Sequence, residues 1–317
     1  MIRRSFRRLY KRLPKRKRMT LCLAAICEAN TETPKIVLCA DCERSADAVG
    51  SSEIEDKIGF VRPGWAALLA GTINRSDDLL RVYSRYFNRS AISVDPHNLL
   101  THLRRPAAMQ RKILVDEYLL HTLSFDYNYL KRNAKNLPEN VVLQQIESIS
   151  RIKLDASLII AGFLKEPCYD TGTSEIKGFL GVVDEVADQH GVRDQVVLED
   201  EFAAIGSASA TALSTLYRRE QSSTDSMMRT VYVLYEANRL SENIPGVGKT
   251  RININILDVD GKLTVTSDAG YDKLNELYDH FGPKPMNDLK KDWFALDAAF
   301  FEEPKKPKPS EAGQSQS

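Results

Sequence analysis

The sequence predicts a mixed α+β fold in which strands and helices come in blocks. Three observations lead there. Two pairs of apolar, β-prone runs open the globular part; a mainly helical stretch fills roughly 98–152; and strands, helices and a last hairpin complete the chain. That order differs from the regular strand–helix–strand series of a parallel sheet. With 317 residues and 43% hydrophobic content, the chain has enough apolar surface for a sizeable core.

The first pair comprises residues 20–27 and 35–41, which flank "EANTETP" and read as a hairpin. Residues 57–62 and 65–70 form the second pair, joined at "RPG", a turn signal. "SDDLLRVYSRYF" then opens with Ser76 as a cap-like residue followed by acids. Its apolar residues Leu79, Leu80, Val82, Tyr83 and Tyr86 recur with a helical period. The helical stretch is expected to break near Pro106 and Pro138. "DASLIIAGF" at 155–163 has the composition of a buried strand, and "IKGFLGVVD" and "DQVVLED" read as further strands. "SASATALSTLYRR" and "STDSMMRTVYVLYEANRL" read as two helices, and "RININILD" and "KLTVTSD" as a terminal hairpin across "VDG". The resulting organisation is a basic leader over 1–18, absent or disordered in the mature protein. A single domain follows over 19–300 with a helical insertion at about 91–154, and then a disordered tail over 301–317.

Charge is unevenly spread. Residues 1–18 hold ten Lys or Arg and no acid, which leaves 34 basic against 43 acidic residues, a formal −9, in the remainder. The body therefore has no general attraction for nucleic acid. No apolar run approaches the roughly 20 residues of a membrane span, and the leader lacks the apolar centre of a secretory signal. Five cysteines, an odd number with no export signal, are consistent with a reducing cytoplasm. "CADC" has zinc-like spacing, but Cys39 and Cys42 fall on a strand pattern that points them to opposite faces. Buried thiols are the better reading, and the five scattered histidines offer no metal pair.

Five signals stand in order. They are Thr20 at the start of the first strand, "ADCERS" with Asp41, "EDKIG" with Lys57, "LLAGT" with Gly71, and later "AAIGSASATAL" with Ser207 opening a helix. Asp41 and Lys57 are sixteen residues apart, and Lys57 and Gly71 fourteen. At these residues the sequence resembles the proteasome β-subunit family of N-terminal-nucleophile hydrolases, and both spacings match that family's usual ones. The resemblance covers about 20–90 and 155–270. The longer 91–154 segment and extended first hairpin point to one of its bacterial proteasome-like branches.

The resemblance implies a four-layer αββα sandwich with an enlarged helical insertion. It further implies a threonine peptidase or amidohydrolase that cleaves peptide or protein substrates without metal or cofactor. A cytoplasmic, homo-oligomeric ring would follow, with no nucleic acid or membrane partner and an unfoldase partner left open. On this pattern Thr20 is the nucleophile, and its own α-amine, with a pKa near ~8, is the base. Lys57 would favour the developing alkoxide, Asp41 would hold Lys57, and the Gly71 N–H would face the oxyanion. Ser207 would hydrogen-bond the amine, Ser45 and Ile73 would bind substrate, and Glu242 would replace a late supporting Asp.

Taken singly, each residue has an ordinary reading. Thr20 suits a strand, Asp41 a turn, Lys57 a strand end, Gly71 a turn and Ser207 a helix cap. Only their order and spacing give the catalytic one. Several positions depart from the family pattern: Glu43 stands where Arg is frequent, Ala208 replaces a Gly, and Pro245 falls near an expected Ser. "GVGKT" at 246–250 resembles the end of a phosphate-binding loop, but Asn243 occupies the first glycine position and the segment enters a strand. An N-terminal nucleophile must also be residue one of the mature chain. Translation from Met19 with removal of that Met would free Thr20, whereas a retained leader would leave its amine acylated. Two alternatives remain at this stage: a non-catalytic proteasome-like ring subunit, and a polyanion- or membrane-surface-binding protein acting through residues 1–18.

Overall fold

The first hairpin forms where the apolar runs predict it. β1 (Leu21–Cys27) pairs antiparallel with β2 (Lys35–Asp41), with Cys22 opposite Ala40 and Cys27 opposite Lys35. The structure is a computed structural model. It describes residues 20–41, 44–45, 51–52, 57–89, 94, 96–167, 174–189, 191–242, 244, 252–283 and 301–302. Among them are two large antiparallel sheets, a short ribbon and seven α-helices.

The six-stranded sheet runs β10-β1-β2-β11-β12-β13, with β10 (Phe202–Gly206), β11 (Ile252–Leu257), β12 (Leu263–Thr266) and β13 (Phe301–Glu302). The five-stranded sheet follows chain order through β5 (Ile58–Arg62), β6 (Trp65–Gly71), β7 (Ala156–Pro167), β8 (Ser174–Asp188) and β9 (Gly191–Glu199). β3 (Arg44–Ser45) and β4 (Ser51–Ser52) form the ribbon.

β1 is buried along its whole length because both of its faces are covered. Cys22, Ala24 and Ile26 join Ile36, Leu38 and Ala40 in a cluster with Leu68, Ile159 and Leu180 of the other sheet. The alternate residues Leu21, Leu23 and Ala25 face α5 (Ser209–Arg218) and α6 (Met227–Ser241), alongside Leu274 of α7 (Asp268–Phe281). On the far side, α1 (Ile73–Asn88) and α2 (Leu99–Leu123) pack Leu79, Tyr83, Phe87 and Leu103 against Trp65, Leu158 and Val183. A smaller cluster ties α2 to α3 (Tyr127–Asn133) through Val115, Leu119 and Leu130, with α4 (Glu139–Ser150) following. Period-2 strands and apolar helix stripes thus account for the apolar contacts between the layers. No helix among the described residues is long and apolar enough to cross a membrane.

Several expectations need correction. α1 begins at Ile73, so Ser76 is internal and donates its hydroxyl to the Ile73 carbonyl at 2.9 Å. The helix can start early because the N–H of Thr72, at its cap, is satisfied by the Asp155 carbonyl at 2.9 Å. α2 passes through Pro106 without a break. A proline removes only one donor, and the buried stripe of Leu99, Leu103, Ala107 and Leu114 holds the helix on both sides of it. The chain turns instead at Ser124, which adopts the left-handed conformation. Ser207 does not open α5; the helix starts at Ser209, with Ala208 at its cap. α6 begins at Met227, where the Ser226 hydroxyl accepts the Arg229 N–H at 3.4 Å. α7 and β10 are elements beyond those expected from the sequence. Phe301–Glu302, at the head of the expected disordered tail, pair with Val265 and Thr266 on a sheet edge whose open ladder accepts them. The leader 1–18 and residues 303–317 lie outside the described residues.

The helices over the six-stranded sheet are joined by a buried ion pair. Arg219 donates from Nε to Glu236 Oε2 at 2.6 Å, from Nη2 to Oε1, and again to the Gly282 carbonyl at 3.0 Å. The two side chains are only 3% and 0% exposed. Removing one partner strands the other charge in an apolar layer. Arg219→Ala should therefore destabilise the fold by about 3–5 kcal/mol in urea titration. A loss below about 1 kcal/mol would show that water or another cation takes over.

Candidate active site

Lys57 sits one step before β5, and its carbonyl accepts the Leu69 N–H at 2.9 Å, extending the ladder to it. Its side chain leaves the five-stranded sheet and ends at Asp41, the last residue of β2 in the six-stranded one. Facing sheets lie about 10 Å apart, a gap that a long lysine stem helps to bridge. Nζ donates to Asp41 Oδ1 and reaches Thr20 Oγ1 at 3.4 Å. The same Oδ1 accepts the N–H of Leu21, the residue after Thr20, at 3.2 Å. Thr20, Asp41 and Lys57 are 8%, 0% and 2% exposed. One carboxylate oxygen therefore fixes both the ammonium and the peptide that carries the hydroxyl.

Burial sharpens the electrostatics. Either charge alone would be costly out of water, so each requires the other. An ammonium has three donors; the carboxylate takes one, and another points to the Thr20 oxygen. Positive charge held against a hydroxyl in a low-dielectric setting favours the alkoxide.

Two glycines let backbones close around this point. Gly206 pairs with Leu21 at φ +98°, and a Cβ there would stand 1.9 Å from the Thr20 carbonyl oxygen. That register carries the next residue, exposed Ser207, to the Thr20 end of β1. Gly71 ends β6 at φ +105°, where a Cβ would meet the Asp155 carbonyl at 2.4 Å. The end of β6 is tied to β1 by the Cys22 thiol, which donates to the Leu69 carbonyl at 3.3 Å.

Thr20, Asp41 and Lys57 are thus brought into direct contact, with Ser207 and Gly71 carried toward them by strand register. Ile73 is half-buried as the first residue of α1, just past Gly71. Ser45 pairs through its backbone with Ser51 in the ribbon. Glu242 lies at the C-terminal cap of α6, where its carboxylate accepts from Arg239 at 2.9 Å. Pro245 and "GVGKT" lie outside the described residues. Sequence reasoning passed over Gly206, although the glycine before the "SAS" turn was the available signal.

No group of three or more His, Cys, Asp or Glu among the described residues is arranged to hold a metal ion. Cys39 turns to the helix side, where Asn238 donates to its sulfur at 3.8 Å, and Cys42 lies outside the described residues. Burial, with the neighbouring Glu28 carboxylate adding to it, pushes the Cys27 thiol up to about 12. No protein-family model matches the chain, and no curated protein is significantly similar to it.

Two outcomes follow from this geometry. Gly206→Ala forces both a left-handed alanine and a clash with Thr20, so it should cost about 2–4 kcal/mol by denaturant midpoint. A wild-type midpoint would contradict the close approach. At pH 8 Cys27 stays a neutral, buried thiol, so it should resist iodoacetamide in the native protein and react after unfolding. Because its pKa is raised in the fold, its stabilising effect is complete below the unfolded thiol's value of about 8.5 and is lost as pH climbs toward 12. Rapid native alkylation of Cys27, mapped by mass spectrometry, would contradict this burial.

Proposed function

We propose that this protein is a threonine peptidase or amidohydrolase of the proteasome-like, N-terminal-nucleophile class, with Thr20 Oγ as the attacking atom. The observation that carries the reading is the Lys57 ammonium, buried between the Asp41 carboxylate and the Thr20 hydroxyl. Sheets packed face to face, each with helices on its outer side, are compatible with the four-layer αββα sandwich of that class.

With the α-amine of Thr20 free, the chemistry runs in two halves. The amine takes the hydroxyl proton while Oγ attacks the substrate carbonyl carbon, and the carbonyl oxygen becomes an oxyanion facing the Gly71 N–H. The tetrahedral species collapses, the C–N bond breaks, and the leaving amine takes the proton back. Water, deprotonated by the same α-amine, then hydrolyses the Thr20 ester and restores the hydroxyl. Lys57 lowers the cost of the alkoxide, and Asp41 holds Lys57 in place. Residues 1–18 have no part in the working enzyme, which assembles as a cytoplasmic ring of its own copies.

A non-catalytic ring subunit explains the arrangement less well. The Lys57–Asp41 pair would align the sheets in such a subunit too, but alignment gives no reason to hold the Thr20 hydroxyl within reach of the ammonium.

Acylation by a β-lactone probe tests the unit. Thr20→Ala should abolish labelling, and Lys57→Ala should slow it by about 10²–10³-fold, with Asp41→Asn less affected. Since the residues act together, Thr20→Ala with Lys57→Ala should be no worse than Thr20→Ala alone. Circular dichroism establishes that each variant is folded. If folded Lys57→Ala labels at the wild-type rate, the cluster is structural and the ring-subunit reading takes over.

A further inference from the structure

One arginine links the helical insertion to the backbone beside Gly71. Arg111, on α2, donates from Nε to Asp194 Oδ1 at 2.8 Å, from Nη2 to Glu185 Oε1 at 3.0 Å, and from Nη1 to the Ile152 carbonyl at 2.5 Å. Glu185 in turn accepts the N–H of Leu154 at Oε1 and that of Asp155 at Oε2, the latter at 3.3 Å. The link from α4 into β7 is therefore held by a carbonyl at one end and by two successive N–H groups at the other. Three partners in different directions need a planar guanidinium; a lysine could not hold them all in one geometry.

What the clamp holds is an unfavourable backbone. Asp155 has φ +52°, a left-handed conformation that Asp tolerates better than most residues bearing a Cβ but adopts infrequently. In that conformation its carbonyl accepts the Thr72 N–H at 2.9 Å. The same oxygen is the atom that a Cβ on Gly71 would strike at 2.4 Å. Gly71 is also the last β6 residue to pair with β7, opposite Ala156. The rotation of the Gly71–Thr72 peptide, and through it the setting of Gly71 and its N–H, thus depends on where Asp155 sits; Asp155 depends in turn on Arg111 and Glu185.

We propose that Arg111 is a positioning residue for the Gly71 oxyanion donor, acting from the insertion through Glu185 and the Asp155 carbonyl; the proposal rests on the Thr20 chemistry above. Oxyanion donors act on the transition state more than on ground-state binding, so their misplacement lowers the rate and spares affinity.

The test measures β-lactone inactivation of the full chain, resolved into the limiting rate and the half-saturating concentration. Arg111→Met should lower the limiting rate about 10–100-fold with half-saturation within about twofold, and Arg111→Lys should fall between it and wild type. Glu185→Gln should act on the same parameter, and adding it to Arg111→Met should bring little further loss. Amide exchange supplies a second readout: in Arg111→Met the Thr72 N–H should exchange faster while the Leu21 N–H, bonded to Asp41, keeps its protection. Should Arg111→Met not fold, Arg111→Lys and Glu185→Gln carry the same comparison. A wild-type limiting rate in a folded Arg111 variant overturns the proposal, as does equal loss of protection at Leu21 and Thr72. Failure of the wild-type protein to label at Thr20 overturns the peptidase reading, and the oxyanion role with it. Thr72 exchange separates the two failures, because it reports the tether without any activity.

Discussion

The ion pair between Lys57 and Asp41 is the constraint around which the rest is arranged. A lysine from one sheet and a carboxylate from the other are buried at the same end of the molecule. Neither charge is tolerable there alone, so the two sheets must meet in one register at that end. Asp41 adds a bond to the Leu21 N–H, which fixes the start of β1 and so the Thr20 hydroxyl. Gly206 and Gly71 have no room for side chains, each crowded by a neighbouring backbone of its own sheet, Gly206 by Thr20 and Gly71 by Asp155. Cross-sheet apolar contacts such as Leu38 with Leu68 and Ile159 supply the adhesion. The ion pair supplies the alignment.

Much of the fold was legible because burial on two faces leaves a strong mark. β1, β2 and β6 are almost continuous apolar runs, and the hairpins and their turns fall where those runs are interrupted. Helix α1 was legible by period, but its start was not. The bond that lets it begin at Ile73 comes from Asp155, over eighty positions away. Pro106 misled for a related reason, since tertiary burial of the α2 stripe outweighs one missing donor. α7 was missed although Ser267 caps it, with the Gly270 N–H donating to its hydroxyl at 3.1 Å. Its apolar residues Tyr271, Leu274, Leu277, Tyr278 and Phe281 recur with a helical period, so both the cap and the period were present in the sequence.

The candidate site was legible in a different sense. No local pattern ties Asp41 to Lys57, and each taken alone reads as an ordinary polar residue. Order and spacing along the chain suggested the cluster, and the structure brings Thr20, Asp41 and Lys57 into contact. Arg111 left no such trace. It resembles Arg104 and Arg105 in its own helix, and only its place on the stripe of Ala107, Gln110 and Leu114 turns it inward to Asp194 and Glu185. Interactions that run from a side chain through a carboxylate to backbone N–H groups have no sequence signature, because the backbone partner can be any residue.

The central claim is that the Thr20 oxygen and its own free α-amine work as nucleophile and base beside Lys57. An α′,β′-epoxyketone interrogates both atoms at once: the hydroxyl adds to the ketone, the amine opens the epoxide, and a ring closes with the full mass of the reagent retained. Tandem mass spectrometry of protein from its native host, treated and digested, reads the result directly. The account predicts an N-terminal peptide that begins at Thr20, with the reagent bonded through both Oγ and the α-nitrogen. A peptide in which Met19 still precedes an unmodified Thr20, from protein that nonetheless hydrolyses peptides, would contradict it.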